Sequence, residues 1–251
     1  MKYHITTIWL IATLLLLLTG RPVTAQPSEH RLIFGGDFGR QTSTHRRLEM
    51  AEFELFLESG SFESSYHIAS DKVLDGGGSV RLGKRLGAGI YFSRFKTTSA
   101  ASISAMVPHP FFFGFGRNAS ATVPDLERQE IAVHLQAQYW LPVGERLLVT
   151  FFFGPTFFNV KQDQISSIQT LEQGFPFDRV DITSHRRVSA SKKAIGYNIG
   201  VDIVQFVLDH LGLAAQLRYS RGTSAVSLNN SGQPALELGG LHVLGGVRVG
   251  F

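Results

Sequence analysis

The C-terminal segment 241–251 alternates strictly between two kinds of side chain. One set of alternate positions is Leu241, Val243, Gly245, Val247, Val249 and Phe251, and the other is His242, Leu244, Gly246, Arg248 and Gly250. Successive side chains of a β-strand point to opposite faces, so this pattern predicts a strand with one apolar face and one small or polar face. Such a strand either covers a protein core or belongs to a membrane barrel, where its apolar side faces lipid.

The same alternation recurs along the chain. It is cleanest at 131–139, returns at 147–153, 195–204 and 213–220, and is weaker at 52–58 and 79–92. Short connections near Lys84, Pro142 and Asp209 alternate with long ones at roughly 59–75, 100–126, 162–190 and 222–239. This rhythm predicts an all-β fold, an antiparallel transmembrane β-barrel of about eight strands with short periplasmic turns and long outer loops. Ten strands are the alternative, because 102–107 and 179–182 could extend a hairpin or add one.

The N-terminus predicts export. A short basic start is followed by an apolar run from Ile8 to Leu18 and by small residues at Val23, Thr24 and Ala25. That run is too short for a membrane helix, so we interpret residues 1–25 as a signal peptide. We expect residues 26–50 to form a periplasmic N-terminal extension, with an added strand as the alternative, and residues 51–251 to form the barrel.

Composition excludes several classes of chemistry. The 251 residues contain no cysteine, which rules out disulfides and thiol catalysis, and the formal net charge of +4 is too small to indicate a nucleic-acid partner. The nine histidines show no paired metal-ligand spacing, and there is no phosphate loop, dinucleotide fingerprint or nucleophile elbow. We therefore expect no metal and no cofactor.

The terminal strand, the signal sequence and the loop rhythm together resemble small bacterial outer-membrane β-barrels of the OmpA, OmpX and OmpW kind, over roughly 51–251. The resemblance is architectural, since no motif names one relative. It implies that Phe251 serves as a signal for the barrel assembly machinery. It also implies a location in the bacterial cell outer membrane, with both termini in the periplasm and with outer-membrane lipids and lipopolysaccharide as partners.

Charged side chains collect on the predicted inward faces. They are Glu52, Glu54, Glu58, Arg81, His134, Asp202, Arg218 and Arg248. The interior of a narrow barrel is filled by its own side chains, and buried charges must be paired. We therefore predict a lumen charge network that plugs the barrel, and a narrow polar pathway is the alternative.

A lipid-A-modifying enzyme is a further alternative. His134, Asp202 and Ser220 are inward-facing candidates for an activated nucleophile. Lipid-A deacylases, however, place a histidine two residues before a serine near the chain end, and Arg218 stands at that position before Ser220. This departure counts against the enzyme.

Two loop segments could contact other molecules. Phe111, Phe112 and Phe113 lie in a long outer loop that either folds over the barrel mouth or exposes an apolar patch for lipid or a partner. Arg186 and Arg187 follow His185 in a basic loop cluster, which we expect to contact lipopolysaccharide phosphate unless it is simply solvated.

These observations favour a structural or surface-interaction role without enzymatic activity. The surface partner is not indicated by the sequence. A narrow channel for ions or small hydrophobic solutes is the first rival. A soluble secreted β-sandwich or lipocalin-like barrel, in which the apolar faces would cover a protein core, is the last.

Overall fold

The computed structural model describes residues 30–42, 45–224 and 236–251, and every regular element in them is a β-strand. The predicted signal peptide, residues 1–25, lies outside these ranges. The strands are β1 (Leu32–Thr42), β2 (His45–Leu55), β3 (Glu58–Ile68), β4 (Asp71–Arg81), β5 (Leu86–Pro108), β6 (Gly116–Val143), β7 (Leu147–Glu172), β8 (Val180–Phe206), β9 (Leu211–Ser224) and β10 (Leu236–Gly250).

Eight of these strands close into a ring. The order around it is β1-β4-β5-β6-β7-β8-β9-β10, and β10 returns to β1 through an antiparallel ladder from Ile33↔Gly250 to Thr42↔Leu241. Closure pairs the backbone of every strand on both sides, which is what a sheet needs in order to cross a bilayer. The prediction of an antiparallel barrel of about eight strands is confirmed.

The barrel begins earlier than predicted. Residues Leu32–Thr42, which we assigned to a periplasmic extension, form strand β1 between β4 and β10, whereas 45–55, including the predicted first barrel strand, lies outside the ring. Strand β1 is difficult to recognise in the sequence because of its glycines. Gly35 and Gly39 occupy inward positions, where other strands carry the side chains that make the alternation visible. A Cβ on Gly35 would lie 2.5 Å from the Arg248 guanidinium, so this glycine makes room for a large lumen side chain.

The two ends of the barrel differ. Three short turns, 82–85, 144–146 and 207–210, lie at one end together with Arg31 and Phe251, where Arg31 donates its backbone N–H to the carbonyl of Phe251 (2.6 Å). At the other end, β5–β6 and β7–β8 continue as long hairpins. The segments 102–107 and 179–182 therefore extend hairpins, and the extra pair of strands is β2–β3.

An apolar band surrounds the ring on its outer surface. On β7 the outward side chains run from Leu147 through Phe151, Phe153 and Phe157, and Phe153 is 64% exposed. The other ring strands add outward residues such as Phe38, Phe92, Leu135, Ile199, Leu217 and Val243. So large a continuous apolar surface is unfavourable in water, and the stretch of β7 from Leu147 to Phe157 is as long as a strand that crosses hydrocarbon. This is the lipid-facing band. Among the described residues, no helix is long and apolar enough to cross a membrane.

A buried hydrophobic core lies beyond the lipid-facing band, at the long-hairpin end. Strand β3 takes over from β4 beside the outer part of β5, so β2, β3, β5 and β6 form one sheet that faces the outer parts of β7 and β8. Phe62, Tyr66, Ile103, Val123 and Ile165 are among its buried side chains. We call this unit, residues 45–68, 99–126 and 162–190, the outer sandwich.

Candidate functional site

Ion pairs fill the middle of the lumen. Arg248 of β10 is fully buried and donates from Nε and Nη2 to the two carboxylate oxygens of Asp202 on β8, at 3.0 and 2.9 Å. Its Nη1 donates to Oδ1 of Asp37 on β1 at 2.7 Å. Arg218 of β9 pairs with Asp75 of β4. These contacts cross the barrel interior and join five of the eight strands.

A layer of polar side chains continues the filling. His134 hydrogen-bonds through Nε2 to Ser93 and through Nδ1 to Thr156, both at 2.9 Å. The amide nitrogen of Asn198 donates to the Thr156 hydroxyl at 2.9 Å, while His242 and Ser220 lie 3.1 Å apart. All of these groups are buried, as a narrow lumen requires.

The short-turn end of the lumen is closed by stacked side chains. Trp140 is 1% exposed, its indole N–H donates to Gln138 at 2.9 Å, and the Arg81 guanidinium lies 4.8 Å from its ring centroid. A cavity beside Trp140 and Tyr91 has a volume of about 10 Å³, which is room for a single water molecule. The barrel interior at this end is therefore occupied by protein.

The structure does not assemble the candidate catalytic residues. Asp202 is bound to Arg248, and Ser220 is paired with His242, while His134 contacts Ser93 and Thr156. His134, Asp202 and Ser220 therefore have separate partners. Within residues 30–42, 45–224 and 236–251, no group of three or more His, Cys, Asp or Glu side chains is placed to hold a metal ion.

Three of the predicted lumen acids lie outside the lumen, and three acids inside it were missed. Glu52 and Glu54 are exposed on β2, because the alternate residues of that strand, Ala51, Phe53 and Leu55, pack against the core of the outer sandwich. Glu58 instead accepts the Gly114 backbone N–H at 2.8 Å.

The missed acids are Glu130, which pairs with Arg128 on β6, and Asp37 and Asp75, the partners of Arg248 and Arg218. Asp37 and Asp75 each sit in a glycine-rich run whose alternation is difficult to read. The signal that could have found Asp37 is parity, since it is the single acid of β1, whereas Asp75 shares its inward parity with Asp71 at the start of β4.

The predicted aromatic loop is exposed at the far end of the outer sandwich. Phe111, Phe112 and Phe113 are 69%, 63% and 80% exposed, so the loop does not bury its own aromatic rings. The buried side chain of His109 stabilises the turn, since its Nδ1 accepts hydrogen bonds from the backbone N–H groups of Phe111 and Phe112 at 3.1 and 3.2 Å.

Two other turns meet this loop. The β7–β8 turn places Phe177 with its ring centroid 5.4 Å from that of Phe111, and the β2–β3 turn contacts the loop through Glu58 and Gly114. Each turn exposes large apolar side chains. We call the combined surface the apolar crown, formed by Phe56, Leu57, Phe111, Phe112, Phe113, Phe115 and Phe175.

The predicted basic loop cluster has a structural contact. Arg187 donates from Nη1 to the carbonyl of Asp125 at 3.1 Å and from Nη2 to that of Pro124 at 2.9 Å. These bonds tie β8 to an irregular point of β6, where Asp125 has a positive φ of 57°. Arg186 is exposed beside it.

Buried polar contacts hold the two sheets of the outer sandwich together. The Ile165 backbone N–H donates to the Tyr66 hydroxyl at 2.9 Å, and Gln164 donates to Glu49 at 2.8 Å. Burial raises the pKa of the Tyr66 phenol. Burial also raises the pKa of the Glu49 carboxyl, and the Arg47 guanidinium 2.6 Å away opposes that effect. Both groups are thus constrained inside a packed interface.

Basic side chains border the lipid-facing band at the long-hairpin end. They are Arg40, Lys72, Arg94, Lys96, Lys161, Lys193 and Arg221, all outward-facing and exposed, and we call them the basic belt. Arg40 and Lys72 are directly opposite each other on β1 and β4. Like charges in that arrangement repel, so this part of the belt favours an anion between them.

Comparison with known proteins yields structural similarity only. No family model matches the chain, and no curated protein matches it in sequence. Among solved structures, the outer membrane protein OprG from Pseudomonas aeruginosa matches at 9% identity with a TM-score of 0.48, covering 90% of this chain and 99% of that one. Neisserial surface protein A matches at 14% identity with a TM-score of 0.40, covering 88% of this chain and 97% of that one. Ail, the attachment invasion locus protein of Yersinia pestis, matches at 11% identity with a TM-score of 0.34, covering 87% of this chain and 99% of that one.

Proposed function

We propose that this chain is a non-enzymatic outer-membrane protein whose filled barrel anchors the outer sandwich at the bacterial cell surface for contact with other molecules. The observation that carries the proposal is the contrast between the two parts. The lumen is occupied by mutually paired side chains, whereas three hairpin turns converge on an exposed apolar surface. A filled interior suits an anchor, and a large exposed apolar patch suits an interaction site.

The proposed orientation puts both termini and the three short turns in the periplasm. Short turns on the periplasmic side and long loops on the outer side are the usual arrangement of bacterial barrels. The apolar crown then projects from the cell. Phe251, which is 62% exposed and packs its ring edge-on against Phe34, sits at the periplasmic end, where the assembly machinery would recognise it.

Outer-membrane lipids are the first proposed partners. In this orientation the basic belt lies at the outer edge of the lipid-facing band, level with the phosphate groups of lipopolysaccharide. Arg40 and Lys72 are adjacent across the β1–β4 ladder, and guanidinium and ammonium groups bind phosphate through charge-assisted hydrogen bonds. We propose that lipopolysaccharide phosphate bridges this pair. Arg187 is a weaker candidate for such contact because its guanidinium already binds two backbone carbonyls.

Labelling of intact cells tests the orientation. Because the chain has no cysteine, single variants at Leu57 in the crown and Lys84 in a short turn each carry one thiol. A membrane-impermeant maleimide should label Leu57→Cys on intact cells and Lys84→Cys only after the outer membrane is permeabilised. Labelling of Lys84→Cys, but not of Leu57→Cys, on intact cells would reverse the proposed orientation.

Conductance separates the anchor from the channel. Purified protein inserted in planar bilayers should give no steady single-channel current, because paired side chains cross the lumen in several layers. Heat-dependent migration in detergent gels provides the control that the inserted barrel is folded. Regular current steps that disappear on charge reversal at Arg218 or Arg248 would contradict the anchor and support the narrow channel.

A further inference from the structure

The apolar crown is built from three separate turns of the chain. Leu57 of the β2–β3 turn is 95% exposed, Phe113 of the β5–β6 turn 80% and Phe175 of the β7–β8 turn 90%. Contacts from Phe111 to Phe177 and from Gly114 to Glu58 hold the turns side by side. Turns at the tips of hairpins usually carry Gly, Asn, Asp or Ser. The convergence of three apolar turns therefore calls for an explanation beyond chain reversal.

Backbone conformation strengthens the point. Phe56 and Leu57 occupy the two central positions of the β2–β3 turn with φ of 54° and 64°, and Phe177 has a φ of 68°. A two-residue turn with positive φ at both positions favours Asn-Gly, because bulky side chains are strained there. The chain accepts this strain at the tip, where neither Phe56 nor Leu57 is buried. Strain of this kind accumulates at binding sites.

The crown stands far from the basic belt. Strand β5 runs twelve residues from Lys96 to Pro108, which at strand spacing is up to about 40 Å. The crown cannot fold back onto the bilayer that surrounds its own barrel without unpairing the long hairpins. Any bilayer that the crown contacts is therefore a separate one, opposite the cell surface.

The chemistry of the crown favours a lipid surface as its partner. The segment from Pro110 to Gly116 contains no charged residue. Its four phenylalanines are between 60% and 80% exposed, and a fluid layer accommodates exposed rings without needing a matching pocket. Apolar rings on a polar support are what anchors a protein at the boundary between headgroups and acyl chains.

The charges around the crown favour a particular headgroup. The exposed charged residues near the tips include four acids and one base, which are Glu52, Glu54, Asp178, Asp181 and Arg179. An acidic rim is repelled by anionic headgroups, whereas a zwitterionic surface presents no net charge. We propose that the apolar crown inserts into the headgroup boundary of an opposing bilayer with a zwitterionic surface. This inference rests on the proposed surface display and names its partner.

Flotation with vesicles tests the proposal. Full-length protein in nanodiscs is mixed with phosphatidylcholine vesicles, with or without phosphatidylserine. We expect binding to phosphatidylcholine that weakens when phosphatidylserine is added. Phe113→Asp and Leu57→Asp, in separate turns, should each weaken binding about tenfold or more, since each removes one apolar side chain that insertion would bury in the vesicle. Ser102→Asp adds the same charge on an exposed face of β5, away from the tip, and should bind as the unaltered protein does.

Three results would overturn the inference. They are no flotation of the unaltered protein, equal binding by Phe113→Asp and Leu57→Asp, and stronger binding to vesicles that contain phosphatidylserine. Capture of a protein partner without any vesicle binding would overturn the inference in the same way as absence of flotation. Cell labelling at Leu57 keeps the two proposals distinct. A labelled crown that binds no vesicles defeats only the lipid inference, whereas an unlabelled crown defeats the surface display itself.

Discussion

Replacing Arg248 with methionine should destabilise the barrel by about 3–5 kcal/mol, because it leaves the carboxylates of Asp37 and Asp202 buried without their common partner. The loss is large because neither acid can reach water from the centre of the lumen. We expect a lower midpoint in urea unfolding and loss of the heat-resistant band in detergent gels at a lower temperature.

A triple variant isolates the charge effect from the loss of packing. Combining Arg248→Met with Asp37→Asn and Asp202→Asn removes all three charges and should recover most of the lost stability, since neutral replacements of a buried ion pair are often tolerated. Arg40→Met supplies the matched control, because Arg40 lies on the exposed face and exposed charges contribute little. The network would have no special role if Arg248→Met cost no more stability than Arg40→Met.

This network also shows what the sequence can reveal about such a barrel. Arg218, Arg248, Asp202 and His134 were recognisable because each occupies a polar position in a regularly alternating strand, and the alternation follows from strand geometry alone. Asp37 and Asp75 were not, since each has a glycine on one side, Gly36 or Gly76, in place of the apolar residue that makes parity visible. Gly35 is needed on the inward face because the Arg248 guanidinium fills the space a Cβ would take, whereas a Cβ on Gly36 would meet nothing within 4 Å.

The alternation of apolar and polar residues could not predict the outer sandwich, for a different reason. Alternation identifies an apolar face but does not distinguish lipid from a protein core as the material that covers it. Phe53 and Leu55 alternate with Glu52 and Glu54 as a barrel strand would, yet they pack against a core outside the membrane. Only the pairing of β3 with the outer part of β5 decides the matter, and that contact joins residues about forty apart.

Arg117 is the main polar link at the tip of the outer sandwich. It is 4% exposed on β6, and its guanidinium makes a two-pronged pair with Glu172 of β7, with Nη2 and Oε1 2.8 Å apart. The same group donates to the carbonyls of Pro108 and Phe177, both at 2.6 Å. One side chain therefore joins the β5–β6 hairpin to the β7–β8 turn that carries part of the apolar crown.

Arg117→Ala should open this tip locally while the membrane barrel stays folded. Losing charge-assisted hydrogen bonds to a carboxylate and two carbonyls costs about 2 kcal/mol or more, which corresponds to roughly a thirtyfold larger open fraction. Chymotrypsin should then cut after Phe177 about thirty times faster, with fragments identified by mass, and the heat shift of the barrel should not change. Arg179→Ala, at an exposed position in the same turn, is the control and should leave the cutting rate near its original value. If both variants are cut at the same rate, the tip is held by its apolar contacts, and Arg117 does not position the crown.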